Sequence, residues 1–185
     1  MRPALPWLCQ GDIFELVPQI VVMVGSADRL HVEQDVGASL LITHDCDLDK
    51  PVSWREPARP RIERLQFLPL RDIRVLDPQR QDLVRSRRLN PPEPIYVGGS
   101  VPGVGAEAFG LLSELYYLPA AYFKPVLKQH SHPEADPGSY HLSATAHAGR
   151  VGRADEDLVD LLRRKIAAFW PRFEVQLDQG VDRGH

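Results

Sequence analysis

The chain has 185 residues, 43% of them hydrophobic and 25% charged, with a formal net charge of −3. That composition belongs to a globular protein with enough chain for a real core, and no run of about 18 apolar residues is present to span a membrane. Two cysteines, Cys9 and Cys46, do not make a disulfide framework, and the N-terminal Met1–Trp7 has too short an apolar segment and too much proline for a signal peptide. The expected location is therefore the cytoplasm.

In chain order, residues 1–10 read as an extended leader pinned by Trp7 and Leu8. Gly11-Asp12 signals a turn before a strand over Ile13–Val17, which Pro18 closes. Gln19–Val24 reads as a second extended run, and the polar stretch Ala27–Gly37 as a loop or hairpin excursion. Ala38–Thr43 is the next strand, and its continuous Leu40-Leu41-Ile42 predicts burial on both faces and a central place in the sheet. Asp49–Pro60, with Trp54, is a proline-rich loop.

Arg61–Leu76 alternates as a strand pair broken at Pro69, with Ile62, Leu65, Phe67, Leu70, Ile73 and Val75 directed inward. Asp77-Pro78 caps and starts a short helix running to about Leu89. Ile95-Tyr96-Val97 is a short strand, followed by a glycine-rich excursion over Gly98–Gly105. That excursion lacks the Gly-Lys-Ser/Thr of a phosphate-binding loop and the Rossmann spacing. Strands are expected at Glu114–Pro119 and Tyr140–His147, with Ala120–Leu127 packed beside the first and a polar loop over His130–Gly138. Asp155–Phe169 carries Leu158, Leu161, Leu162, Ile166 and Phe169 on one helical face, with acids in its first turn and bases later. Short strands, long proline-rich connections and one good terminal helix predict a mainly β, α+β fold. The expected form is a small β-barrel or curved sheet with a C-terminal amphipathic helix. Residues 1–177 form one expected globular domain, with an insertion at about 77–113, and 178–185 a frayed tail.

Chemistry concentrates at Thr43-His44-Asp45-Cys46-Asp47, where a hydroxyl, an imidazole, two carboxylates and a thiol follow a buried strand. If the strand continued, Thr43, Asp45 and Asp47 would face one side and His44 and Cys46 the other; a strand end near Thr43 would gather them differently. Cys46 activated by a histidine would be a nucleophile, and Asp45, Asp47 and a histidine would suit acid–base work or a divalent cation. The plainer reading is a core thiol flanked by turns that cap the strand. His44, Cys46, His130, His132, His141 and Cys9 are the zinc-ligand inventory, but paired Cys-x-x-Cys spacing is absent, and no metal or other cofactor is assigned. Tyr116-Tyr117, with Tyr122 and Phe123, offer either a base-stacking surface or core.

Charge is uneven. Arg55–Arg88 holds ten arginines against five acids in an otherwise acidic chain. Arginine suits bidentate contact with phosphate, although a solvated arginine-rich surface is the plainer explanation.

With these residues in hand, the chain resembles the MazF/PemK-like superfamily, SH3-like barrels known as ribonuclease toxins of toxin–antitoxin systems. The resemblance rests on Gly11-Asp12-Ile13 opening the first strand and on Leu40-Leu41-Ile42-Thr43 leading into a hydroxyl-bearing turn. It covers about the first third of the chain. That family places Arg-Pro just ahead of the second strand, where this chain has Gly37-Ala38-Ser39, and the chain is longer than a typical member. The His-Asp-Cys-Asp-Leu-Asp segment is similar to a "CDL" segment of uncharacterised bacterial and phage proteins.

The resemblance implies an SH3-like barrel acting on nucleic acid as a metal-independent ribonuclease of a toxin–antitoxin or phage-defence system. Thr43, His44, Asp45, Cys46 and Asp47 are the candidate catalytic residues. Arg59 or Arg61 would supply the missing cation. RNA or DNA and an antitoxin or other protein are the expected partners, with no membrane; a homodimer is compatible. A non-catalytic interaction or nucleic-acid-binding module and a Cys46-dependent enzyme are the alternatives.

Overall fold

The computed structural model describes residues 7–24, 30–48, 63–123, 125–128, 139–142 and 149–181. For 20–24, 30–34, 46–47, 125–128, 139–142 and 171–181 it describes the backbone alone. The elements are β1 (Asp12–Val24), β2 (Leu30–Leu41), α1 (Asp45–Leu48), β3 (Arg64–Pro69), β4 (Arg71–Asp72), α2 (Pro78–Arg85) and β5 (Pro94–Tyr96). They continue with β6 (Ala108–Leu111), β7 (Tyr116–Pro119), β8 (Pro125–Lys128), β9 (Ser139–Leu142), β10 (Arg150–Arg153) and α3 (Glu156–Val181). Five strands pair antiparallel in the order β10-β1-β2-β3-β7, three in the order β4-β6-β5, and β8 pairs with β9.

This mixed α+β fold corrects the expected barrel. In the five-stranded sheet β10 and β7 stand at opposite edges, and no ladder joins them among the described residues. Closure would need that ladder. The sheet is instead an open layer, buried on both faces. Leu40, Ile42, Leu68 and Leu70 pack on one face with Leu158 and Leu162 of α3 and with Ile95, Val97, Val101, Ala108 and Leu112. Phe14, Val17, Leu41, Leu65 and Phe67 pack on the other face with Leu8 and Phe123. The alternation of Leu40, Leu41 and Ile42 between the two clusters explains the uninterrupted apolar run, since a strand covered on both sides has no polar face to display.

Several boundaries move. β1 runs through Pro18, which pairs with Val36 beyond the last β1 residue that meets β10. Among the described residues no strand pairs with the other side of β1 there, so the missing N–H is tolerated. The polar stretch read as an excursion supplies the first half of β2, from Leu30. Val75 is not inward: it ends a 3-10 turn at Ile73–Val75 and is 68% exposed, whereas Ile73 is fully buried. Asp77 caps α2 by accepting from the Arg80 amide at 3.0 Å, but the helix stops at Arg85.

The glycine-rich excursion is tied down, with a Val101–Gly105 bridge and a buried Val101. β6 and β10 are only four residues each, too short for an alternating pattern to announce them, and neither is among the expected strands. The strand expected at Tyr140–His147 begins at Ser139 and is described through Leu142; 143–147 lie outside the described residues. Helix α3 continues past Pro171 to Val181, although a proline there removes one intrahelical bond. Trp54, Arg59, Arg61, Ile62, His130, His132 and 182–185 lie outside the described residues, while 178–181 of the expected tail belong to α3.

Candidate functional site

The strand that ends at Leu41 delivers Thr43, His44 and Asp45 to a corner where three distant segments meet. Gly11 makes the corner possible. Its φ is +89°, and a β-carbon placed on it would lie 2.8 Å from Val159 Cγ2, so only glycine fits. Its N–H donates to the Leu41 carbonyl at 2.8 Å, and its carbonyl accepts from the Ala154 amide at 2.8 Å. The leader, the end of β2 and the approach to α3 are thereby fixed together, and Gln10 is set beside Asp45.

Both Asp45 oxygens are engaged. Oδ1 accepts from the Gln10 amide at 2.7 Å, and Oδ2 accepts from Arg163 Nη2 at 3.0 Å. Arg163 Nε donates to Gln10 Oε1 at 2.9 Å, and Gln10 Nε2 donates to the Ile42 carbonyl at 2.9 Å. Thr43 ends the β2–β3 ladder: the Ile42 amide donates to the Gln66 carbonyl at 3.0 Å, and Thr43 Oγ1 accepts from the Gln66 amide at 2.7 Å. A hydroxyl thus substitutes for the carbonyl that a longer strand would have offered, which is the turn chemistry the sequence allowed. Thr43 keeps its O–H as a donor. Gln66 Nε2 donates to the Tyr117 hydroxyl.

These groups surround an open cleft of about 540 Å³. Its polar wall comprises Gln10, Thr43, His44, Arg64, Gln66, Tyr117 and Arg163. Ile42, Ile166 and Ala167 form its apolar part. His44 is exposed, Tyr117 is 51% exposed and Thr43 is almost covered. An imidazole, a hydroxyl, two guanidinium groups and an aromatic ring therefore share one concavity, suited to an anionic ligand with a flat apolar part.

Of the sequence candidates, Thr43 and His44 line the cleft, and Asp45 stands behind it. Cys46 and Asp47 lie in the short helix α1, with only their backbone described. Arg59 and Arg61 are outside the described residues; the cations that line the cleft are Arg64 and Arg163. Nothing in the local sequence singles out Arg163. It sits in an Arg163-Arg164-Lys165 run that the helix dipole already explains, and its partners are 118 and 153 residues away. Gln10 and Gln66 go unmarked for the same reason, whereas Tyr117 belongs to the tyrosine pair that the sequence offers as a stacking surface.

Much of the arginine-rich segment is occupied elsewhere. Arg71 pairs with Glu114, Arg74 with Asp72, Arg80 with Asp77, and Arg85 with Asp82 and Glu107. The Arg85 guanidinium and the Tyr96 hydroxyl hold the Glu107 carboxyl down to about 2. A larger concavity of about 660 Å³ follows α2 past Arg80, Leu83, Ser86 and Arg88, but none of the candidate residues reaches it.

Tyr116, the inward neighbour of Tyr117, stacks on Phe67 and donates to Ser39 Oγ at 2.8 Å, so the tyrosine pair divides between core and cleft. Burial first, then the Asp12 carboxylate, pushes the Cys9 thiol up to about 11, which keeps it protonated and unreactive at neutral pH. Among the described residues, no group of three or more His, Cys, Asp or Glu side chains gathers in a metal-holding arrangement. No helix among them is long and apolar enough to cross a membrane.

No protein-family model matches the chain, and no curated protein or solved structure matches it significantly.

Proposed function

We propose that the protein acts on nucleic acid at this cleft, as a metal-independent ribonuclease of a toxin–antitoxin or phage-defence system. The observation that carries the reading is the convergence of His44, Thr43, Arg64, Arg163 and the exposed Tyr117 ring on one concavity. A base, two cationic donors and a stacking face suit phosphodiester cleavage. In the proposed reaction His44 takes the proton of an RNA 2′-hydroxyl, and the 2′-oxygen attacks phosphorus. The P–O5′ bond breaks, the 5′-oxygen leaves with the proton that the His44 imidazolium returns, and a 2′,3′-cyclic phosphate remains. Arg64 and Arg163 stabilise the charge that builds on the phosphorane oxygens, the task left open by the absent Arg-Pro. Thr43 donates its remaining O–H to the substrate, and Tyr117 offers a face for a base.

Kinship with the MazF/PemK-like superfamily belongs to the same proposal. Gly11-Asp12-Ile13 opening β1 and Leu40–Thr43 leading into the cleft support it; the open sheet departs from that family's closed barrel.

The test is incubation of the purified protein with RNA, with and without EDTA, beside His44→Ala, Thr43→Ala and Cys46→Ser. The reading expects cleavage that survives EDTA and Cys46→Ser and is lost in His44→Ala. Absence of both cleavage and RNA binding at low salt would overturn it. Cleavage lost only in Cys46→Ser would transfer the activity to the thiol.

A further inference from the structure

We propose that Asp45 and Gln10 are positioning residues, holding Arg163 over the cleft as its anion-binding group. The inference rests on the nucleic-acid reading above and gives a specific task to two side chains that take no part in its chemistry.

A free arginine side chain samples many rotamers, and ordering it on binding costs about 2 kcal/mol of entropy at most. Arg163 is ordered in advance. Its Nε and Nη2 donate to Gln10 Oε1 and Asp45 Oδ2 at 2.9 and 3.0 Å, along one edge of the guanidinium. Neither acceptor can drift. Gln10 is 1% exposed and anchored by its own amide to the Ile42 carbonyl, while Asp45 is anchored through Oδ1 by the Gln10 backbone. The remaining contact, Nη1 to Asp160 Oδ1, is long at 3.4 Å and sits on the exposed helix surface. Two of the five guanidinium N–H groups are thus strongly committed, and the opposite edge keeps donors for a phosphate oxygen.

The clasp also has a cost in charge. Asp45 sets a carboxylate beside a site that is to receive a polyanion. If only charge mattered, removing it would tighten binding. If position matters more, removing it would weaken binding, because Arg163 would then be ordered at the ligand's expense. The two roles differ in sign, and a simple tether of α3 to the corner would alter neither affinity nor coupling.

The experiment measures binding of a fluorescein-labelled RNA oligonucleotide to the full chain, with thermal melts confirming the fold of each variant. Asp45→Asn, which keeps the shape, is read first, then Gln10→Ala, Arg163→Ala and the Asp45→Asn/Arg163→Ala double variant. To prevent turnover, all carry His44→Ala, and the parent is His44→Ala alone. Expected are roughly tenfold weaker binding for Arg163→Ala and roughly fivefold for Asp45→Asn, with no further loss in the double variant. RNA binding that Asp45→Asn leaves equal or tightens would overturn the positioning role and leave the nucleic-acid reading standing. A parent and a wild type that both fail to bind RNA at low salt would overturn both.

Discussion

Thr43 shows how one side chain serves the fold and the cleft together. Its hydroxyl accepts the Gln66 amide at 2.7 Å, a bond that valine cannot make, and Thr43 is only 9% exposed. Thr43→Val therefore strands a covered amide, and urea unfolding is expected to show a loss of about 1–3 kcal/mol. Thr43→Ser keeps the acceptor and should lie close to the wild type; an equal loss in both would show that the methyl, not the hydroxyl, matters. At this scale the sequence was readable where chemistry is dense. Thr43, His44 and Asp45 stand out as a cluster and do reach one corner. Gln10, Gln66 and Arg163 did not stand out, because their relevance comes from contacts across 23 to 153 residues, which no local pattern encodes.

Helix α3 was the most legible element, since Leu158, Leu161, Leu162, Ile166 and Phe169 recur at helical spacing and do meet the core. It starts one residue later than read, at Glu156, and Asp155 caps it: Asp155 Oδ1 accepts the Leu158 amide at 2.9 Å. What spacing hid is Lys165, which counts as a surface base in sequence yet is 2% exposed. Its ammonium donates to the Pro94 and Pro91 carbonyls at 2.7 and 3.2 Å, joining α3 to the segment before β5. Burial pulls this lysine down from 10.5 to about 8. A group depressed in the folded state and ordinary in the unfolded state releases its proton first when folded. Between pH 8 and 10.5 the unfolded chain therefore holds more protons, and stability should rise with pH in that window. Below pH 8 both states are protonated and this contribution is flat. The difference in unfolding free energy between wild type and Lys165→Met, followed by urea titration, should move in favour of the wild type from pH 8 to 10.5. A difference independent of pH would contradict the assignment. Strands such as β6 and β10 were illegible for a related reason: they are short, and their pairing partners rather than their own residues make them strands.

Across the whole molecule, the open five-stranded sheet depends on joining its edge to the leader and to α3. Asp12 is fully buried, with its carboxylate accepting the Cys9 amide at 2.9 Å and Arg150 Nη1 at 3.2 Å. Burial raises the Asp12 carboxyl above its ordinary range, against the pull of the Cys9 amide and Arg150. Arg150→Ala would leave that acid without its nearest cation and is expected to cost about 3–5 kcal/mol, whereas an Asp12→Asn/Arg150→Met pair should recover much of the loss. Thermal or urea unfolding of the two variants decides this; equal destabilisation would show that shape rather than charge governs the site. At this scale the α+β class and the central, doubly covered place of Leu40–Ile42 were legible from apolar patterning. The open sheet was not, because closure depends on whether β10 and β7 meet, and residues that never touch leave no signal in sequence. The proposed reaction is cleavage of RNA through the 2′-hydroxyl at the cleft that ends β2. Its most direct test is mass spectrometry of the RNA ends left by wild-type protein in EDTA, with His44→Ala in parallel. Wild-type protein is expected to leave 2′,3′-cyclic phosphate and 5′-hydroxyl ends that vanish in the variant; intact RNA, or 5′-phosphate ends, would rule this reaction out.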